Sequence, residues 1–330
     1  MKEENGQNPV PAHEATAASF RSGFVAIIGK PNVGKSTLLN AYLGQKVAIV
    51  SDKPQTTRVR QLGILTRPDA QVIFVDTPGI HKPLHKLGDW MVESATQAAS
   101  DADVIVFLCD VSELPGGEDR QIAELIHRQA GERPVLLALN KMDRLLPEKV
   151  KQHTEAYWSL LSGEPKLNWD WMMLSATTGD NRDKLLEMIT TRLPEGPQYY
   201  PEDQVTDRTE RQVVADLIRE QVLHFARREV PHAVAVVVDE WNARHSGAVH
   251  IGATIYVERD SQKAILIGKG GAMLKKIGAA ARHEIERLVD AKVFLELWVK
   301  VRKDWRAKDN DLRELGYVEE STTTTRGGGL

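Results

Sequence analysis

This chain of 330 residues has a single cysteine, Cys109, so no intramolecular disulfide is available and the composition fits a reducing, cytoplasmic setting. Cys109 lies in the apolar run VIVFLCDV and reads as a small buried hydrophobe rather than a reactive thiol. Long apolar runs are lacking too; none approaches the ~18–20 residues that cross a bilayer. The first 22 residues are polar and have no apolar core, which excludes a signal peptide and reads as a flexible extension. The low-complexity end STTTTRGGGL reads as flexible as well. No excess of one charge stands out: 43 Lys/Arg against 46 Asp/Glu leave a net charge of −3. That balance hides an asymmetry, because residues 263–308 carry twelve Lys/Arg against five Asp/Glu. Such a local basic patch points to an anionic partner. His81, His85, His127 and His153 share no metal-ligand spacing with Cys109, which argues against a zinc site.

What is present is concentrated in short motifs at the ends of apolar runs. GKPNVGKS comprises Gly29, Lys30, Pro31, Asn32, Val33, Gly34, Lys35 and Ser36, followed by Thr37. It joins a strand-like FVAIIG to a segment with helical spacing, so its backbone N–H groups and the helix dipole aim at one point, a phosphate cradle. Lys35 reaches the β- and γ-phosphates from there, and Ser36 is placed to ligate Mg²⁺. DTPG (Asp76, Thr77, Pro78, Gly79) ends the run VIFV; its carboxylate suits water-mediated Mg²⁺ binding and the Gly79 N–H suits a γ-phosphate. NKMD supplies Asn140, Lys141 and Asp143, whose carboxylate matches guanine N1 and N2 and has no such donor pair on adenine. SAT supplies Ser175, Ala176 and Thr177, with the Ala176 N–H facing guanine O6. Four matches in order, each at a strand end where open α/β sheets bind ligands, define a GTP site.

From Phe24 to about Leu193 strand-like and helical segments alternate, which predicts a mainly parallel sheet with helices on both faces. The Pro- and Gly-rich PEGPQYYP reads as a linker. Beyond it come a long helix, two strands, the short apolar element QKAILIG, the turn GKGG, a second long helix and a strand. A GxxG turn before a helix lets backbone approach a nucleic-acid backbone; alone it is a weak signal, but the element order and the basic segment make it a KH-type RNA-binding module. Ile267, Gly268, Lys269, Gly270, Gly271, Lys275 and Lys276 are its candidate RNA contacts, with Ile265, Leu266 and Ile267 shared between groove and core. Trp298 and Trp305 flank basic residues, and packing is the safer role for both; the same holds for Trp158, Trp169 and Trp171.

GKPNVGKS, SDKPQTTR, DTPGIHKP, NKMD and SAT, together with EVPH, ILIGKGGAMLKKIG and KVFLELWVKVRKDWR, resemble the Era family of bacterial ribosome-assembly GTPases across about Phe24–Tyr317. The resemblance implies an α/β P-loop GTPase domain over 23–193, a linker over 194–207 and an α+β type II KH domain over 208–307, between an extension (1–22) and a tail (308–330). It implies GTP binding and hydrolysis, with Lys35, Thr57 and Gly79 at the reacting phosphate. It further implies binding of the 3′ end of 16S ribosomal RNA by the KH domain during 30S subunit maturation, by a monomer. Some members associate peripherally with the inner membrane. Mg²⁺ is the expected cofactor, held by Ser36, Asp76 and a switch-loop threonine, either Thr57 (preferred) or Thr56. In the wider superfamily the phosphate-loop asparagine, here Asn32, helps hold K⁺; an Asn also simply tolerates turn backbone. Ile80 stands where Ras-like enzymes carry a water-orienting Gln, so unaided hydrolysis is expected to be slow, and a scaffold with negligible turnover is the competing reading. A tRNA-modification GTPase is disfavoured by the missing C-terminal cysteine. Arg58 reads as either a transition-state charge or a solvated loop arginine.

Overall fold

The computed structural model describes residues 20–318 apart from 52, 54, 55, 81–84, 163–167, 228, 229 and 244–246. Asp52, Pro54, Gln55, His81, Lys82, Pro83 and Glu229 of the motifs above therefore lie outside the described residues, as do most of both tails.

The first unit is a six-stranded sheet of β1 (Arg21–Ile28), β2 (Gln61–Thr66), β3 (Ala70–Asp76), β4 (Val104–Asp110), β5 (Val135–Asn140) and β6 (Trp169–Met173). The order is β2-β3-β1-β4-β5-β6, parallel throughout except for the β2/β3 hairpin. β1 begins at Arg21, paired with Ala70, three residues before the expected strand. The central strands are apolar on both faces because both faces are covered. On one side α1 (Lys35–Leu43) and α5 (Arg182–Thr190) pack Leu38, Leu39, Leu185 and Ile189 onto Val25, Ile27, Val72 and Val106. On the other, α2 (Lys86–Asp101), α3 (Gly117–Gln129) and α4 (Val150–Trp158) pack Ala95, Ile122, Ile126 and Tyr157 onto Ile28, Ile73, Phe107 and Leu137. GKPNVGKS, DTPG, NKMD and SAT each lie at the C-terminal end of a strand in this sheet.

The segment read as a linker is docked along the first unit. Gln71, fully buried, accepts from the N–H groups of Tyr199 and Tyr200 and donates to Tyr200 O. Further on, the β2 edge is covered by Ile64 N–H to Val205 O and Leu62 N–H to Asp207 Oδ1.

The second unit runs α6 (Glu210–Phe225), β7 (Ala235–Ala243), β8 (Val249–Val257), α7 (Asp260–Ile267), α8 (Ala272–Val289), β9 (Val293–Val301) and α9 (Asp309–Glu314). Thr209 caps α6 with a reciprocal bond to Gln212. The sheet order is β7-β8-β9, with β7/β8 antiparallel and β8/β9 parallel. Val214, Leu217 and Ile218 of α6 and Ile277, Ala281 and Ile285 of α8 form one core with Ile251, Ala253 and Ile255 of β8. The apolar element QKAILIG is helix α7.

The expected C-terminal tail needs correction. α9 lies within it, and Leu312 and Leu315 are buried beside the fully buried Trp305. Trp305 donates through Nε1 to Ala233 O at 3.0 Å. Leu87 and Met91 of α2 join this cluster with Ala235, so it is also where the two units meet. A six-residue helix with one core side chain, Leu312, has no periodicity to read from sequence.

Candidate functional site

The motif loops converge on a cavity of about 470 Å³ lined by Pro31, Asn32, Gly34, Lys35, Ser36, Thr37, Thr57, Gly79, Asn140, Lys141, Asp143 and Ala176. Asn32 and Gly34 sit in left-handed backbone, φ 64° and 105°. A side chain at Gly34 would also strike Asn140 Nδ2, 2.4 Å from an ideal Cβ. Asn140 itself is a strut: Nδ2 donates to Val33 O at 2.7 Å, and Oδ1 accepts from the Ala176 N–H at 2.8 Å. One buried amide thus ties the GKPNVGKS loop to the SAT loop.

Several of the candidate residues support the cavity from behind. Gly29, Val33 and Asp76 are buried. Thr77 Oγ1 donates to Ile27 O, and Ser175 Oγ accepts from the Thr178 N–H. Lys30 turns its ammonium to the fully buried Asp119 at 3.1 Å. Although burial pulls its pKa down, Asp119 raises it above the ordinary lysine value. Lys141 reaches Asp110 at 2.6 Å; that bond and Ser112 outweigh burial and hold the Asp110 carboxyl below its usual range. Pro78 is buried, and Gly79 packs so tightly that a Cβ would lie 2.8 Å from Pro31 N. The cavity wall also includes Ile49, Val50 and Arg144, which lie outside the motifs, and Ser51, the first residue of SDKPQTTR.

At the phosphate end, burial lowers the Lys35 pKa to about 8, with Asp76 acting the other way. Its ammonium donates to Gly29 O and Lys30 O at 3.0 Å each. Asp76 is fully buried, and burial raises its pKa against Lys35, Ser36, Gln61 and Thr57. Ser36 Oγ, Thr57 Oγ1 and Gln61 Nε2 all approach Asp76 Oδ2, at 3.0, 3.2 and 3.2 Å. Ser36 Oγ and Thr57 Oγ1 are 3.0 Å apart. Asp76 Oδ1, buried, has no partner among the described residues. Two hydroxyls and a carboxylate with an unused oxygen form a hard-oxygen set that fits Mg²⁺. Thr56 also lines the cavity, and its hydroxyl donates to Lys53 O at 2.6 Å. Ile80 is buried in the apolar core and offers no polar group to a water.

Arg58 departs from both expectations. It is 4% exposed and is bound to the second unit. Nη1 donates to Val234 O at 2.6 Å and Nη2 to His232 O at 2.9 Å and Pro231 O at 3.2 Å. Trp305 and Tyr317 flank its guanidinium, each centroid 5.8 Å away. Burial lowers its pKa to about 10, so it is charged at neutral pH.

The second unit presents a groove of about 430 Å³ between α8 and the edge strand β9, lined by Gly271, Leu274, Lys275, Gly278, Ala279, Arg282, Phe294, Leu295 and Leu297. Gly268, Gly270 and Gly271 have φ of 71°, 59° and 81°, so the GxxG turn depends on glycine conformations. Lys269 lies in that turn, and Ile267 ends α7 beside it. Lys275 lines the groove, whereas the Lys276 ammonium lies 4.3 Å from the Phe225 ring of α6. Gly278, Ala279 and Arg282 are groove residues that the motif reading missed, yet Gly271, Lys275, Gly278 and Arg282 recur at helical spacing, a signal available in the sequence. Leu266 is core and Ile265 exposed; Trp305 is core and Trp298 is 43% exposed. Trp158 and Trp171 pack edge-on at 4.6 Å. His127 and His153 bond to the carbonyls of Leu160 and Val111, and no group of three or more His, Cys, Asp or Glu placed to hold a metal occurs among the described residues.

The family model of 50S ribosome-binding GTPases matches residues 24–141, and the KH domain model matches residues 229–306. GTPase Era of Staphylococcus haemolyticus is 49% identical over 300 residues, 91% of this chain and 98% of that protein. A crystal structure of Era with MgGDPNP and nucleotides 1506–1542 of 16S ribosomal RNA superposes with a TM-score of 0.85 at 41% identity, covering 91% of this chain and all of that one. A tyrosine-to-alanine variant of Aquifex aeolicus Era bound to GDP·AlF4⁻ superposes equally, with a TM-score of 0.85 at 40% identity over the same shares. With a guanine-nucleotide cavity in one unit, a GxxG groove in the other and relatedness along nine-tenths of its length, the chain belongs to the Era family of GTPases.

Proposed function

We propose that the protein is a GTP-operated switch that binds the 3′ end of 16S ribosomal RNA through its KH groove and assists 30S subunit maturation. The observation that carries this reading is the pairing, in one chain, of the nucleotide cavity with a groove that has a basic, small-residue wall (Lys275, Gly278, Ala279, Arg282). It is reinforced by 41% identity to an Era that holds both MgGDPNP and 16S rRNA nucleotides. The GTPase domain spans 23–193, the linker 194–207 and the KH domain 208–307, with α9 packed against it. Ile267, Gly268, Lys269, Gly270 and Gly271 bring backbone close to the RNA, and Lys275 supplies charge.

Ser36, Thr57 and Asp76 hold Mg²⁺, which neutralises charge on the β- and γ-phosphate oxygens. Lys35 contributes its ammonium to the same oxygens, the Gly79 N–H senses the γ-phosphate, and Asp143 with the Ala176 N–H selects guanine. Phosphoryl transfer of this kind depends on positioning and electrostatics rather than covalent chemistry. With Ile80 in the core, no side chain at that position orients the attacking water. Asn32 assists by holding K⁺, a role resting on the family resemblance, since its left-handed backbone already accounts for an Asn there. The protein works as a cytoplasmic monomer with peripheral contact to the inner membrane; among the described residues no helix is long and apolar enough to cross one.

The test is binding of full-length protein to a 3′-terminal 16S rRNA fragment with GDPNP or GDP, alongside Gly270→Asp. Tight binding that prefers GDPNP and is lost in the variant is the expected result; no binding at moderate salt would overturn the RNA half. Phosphate release in K⁺ against Na⁺, with Asp76→Ala as the inactive control, tests the hydrolytic half; equal rates in the two salts would remove the role given to Asn32.

A further inference from the structure

The 3-10 turn Val230–Ala233 ends with backbone carbonyls pointing out of its last turn, where side chains can reach them. All four carbonyls from Pro231 to Val234 are capped by side chains. Trp305 takes Ala233, and Arg58, from the other domain, takes Pro231, His232 and Val234. Among the described residues, carbonyl dipoles and two aromatic faces hold the charge of Arg58. From the opposite side Arg219 of α6, whose side chain is 4% exposed, donates to Thr56 O while its Nε meets Asp216 at 3.4 Å. The residue between these two attachments is Thr57, whose hydroxyl stands 3.0 Å from Ser36 Oγ.

We infer that Arg58 and Arg219 are positioning residues for the magnesium threonine, so that the KH domain forms part of the support of the GTPase's metal half. This rests on the reading of Ser36, Thr57 and Asp76 as the Mg²⁺ set, and it adds which residues outside the cavity keep that set assembled. Thr57 is bracketed by one residue on either side, each fixed by a buried guanidinium that bridges the domains. A loop residue held at both flanks loses less freedom when it takes a ligand, so the attachment favours the state with metal and γ-phosphate bound. By reciprocity, that nucleotide state tightens the Arg58 clamp by the same factor. GDP, which asks nothing of Thr57, gains nothing from the clamp.

The test uses full-length Arg58→Ala, Arg58→Lys and Arg219→Gln. It measures affinity for GDPNP across a Mg²⁺ titration and affinity for GDP at fixed Mg²⁺. Expected is a loss of about tenfold in Mg²⁺-dependent GDPNP affinity, within the usual range of coupling factors, and a raised Mg²⁺ half-saturation. GDP affinity stays within about twofold. Arg58→Lys should recover little, because an ammonium cannot span three carbonyls in the fork geometry of guanidinium. Should Arg58→Ala fail to fold, Arg219→Gln carries the same comparison with a milder change. Equal losses for GDPNP and GDP, or an unchanged Mg²⁺ titration in folded variants, would overturn the positioning role alone. Wild-type protein whose GDPNP affinity ignores Mg²⁺ would overturn the metal assignment itself.

Discussion

Ser36 Oγ and Thr57 Oγ1, from the phosphate loop and from the loop before β2, lie 3.0 Å apart over the same Asp76 oxygen. Thr57→Val keeps the shape and removes the oxygen. It should cost on the order of 10- to 100-fold in GTP hydrolysis, the range seen when support of a metal ion is lost. Thr56→Val, which removes a hydroxyl that donates to Lys53 O, should stay within about twofold. Steady-state phosphate release on the two variants checks the contrast.

Asp143 lines the cavity and forms a long 4.0 Å ion pair to Arg144. Asp143→Asn replaces an acceptor pair by one acceptor and one donor. GTP affinity should fall on the order of 100-fold or more, while xanthosine triphosphate, which carries a carbonyl in place of the 2-amino group, should gain. Competition binding with the two nucleotides reads the exchange directly.

Lys35 titrates at about 8 in the nucleotide-free protein against 10.5 when unperturbed. The folded chain thus binds fewer protons than the unfolded chain between those values. The burial penalty is present in full below pH 8 and fades as pH rises towards 10.5, so the contribution of Lys35 to the stability of the nucleotide-free protein improves with rising pH across that window. Phosphate oxygens beside the ammonium restore its charge, so nucleotide binding should take up protons at about pH 8–9. Calorimetry in buffers of different ionisation enthalpy should show that uptake in wild type and lose it in Lys35→Met.

Lys275 and Lys276 are adjacent in sequence, yet one lines the groove and the other lies over Phe225. Lys275→Ala should weaken RNA binding and reduce the slope of log K against log salt by about 1. Lys276→Ala should leave that slope unchanged and lose only a modest cation–π contribution to stability, ~0.5–1 kcal/mol at an exposed site. Fluorescence titrations at several salt concentrations separate the two.

Trp305 is fully buried and holds Ala233 O at 3.0 Å. Trp305→Ala should destabilise by about 3–5 kcal/mol through loss of contact and the cavity left behind. Trp305→Phe, which keeps the ring but not the donor, should cost about 1–3 kcal/mol for the unpaired carbonyl. Denaturant unfolding of both variants gives the comparison.

The nucleotide site is legible in the sequence because its chemistry is local: strand, glycine turn and helix N-terminus are consecutive, and NKMD and SAT each close a strand. Asn140 as a strut between Val33 and Ala176 is not legible, since its partners lie on other loops. The KH groove is half legible. GKGG marks itself, but choosing Lys275 over Lys276 needs the rotation of α8, which Ile277, Ala281 and Ile285 fix by burying the opposite stripe. Arg58 misleads because its role is set by residues more than 170 positions away. An arginine beside two threonines in a loop looks solvated until the turn it caps is in place.

The docking of residues 194–207 along the first domain has a mechanical consequence. Pairing persists as far as Asp207 on the β2 edge, and α6 is already capped at Thr209. The two domains are therefore joined by a pivot one or two residues long. Such a joint permits rotation about one point and forbids wandering, so a shift in the loop leading into β2 acts on α6 as a short lever does on its arm. The same brevity fixes how far the RNA groove can swing for any given displacement at the nucleotide.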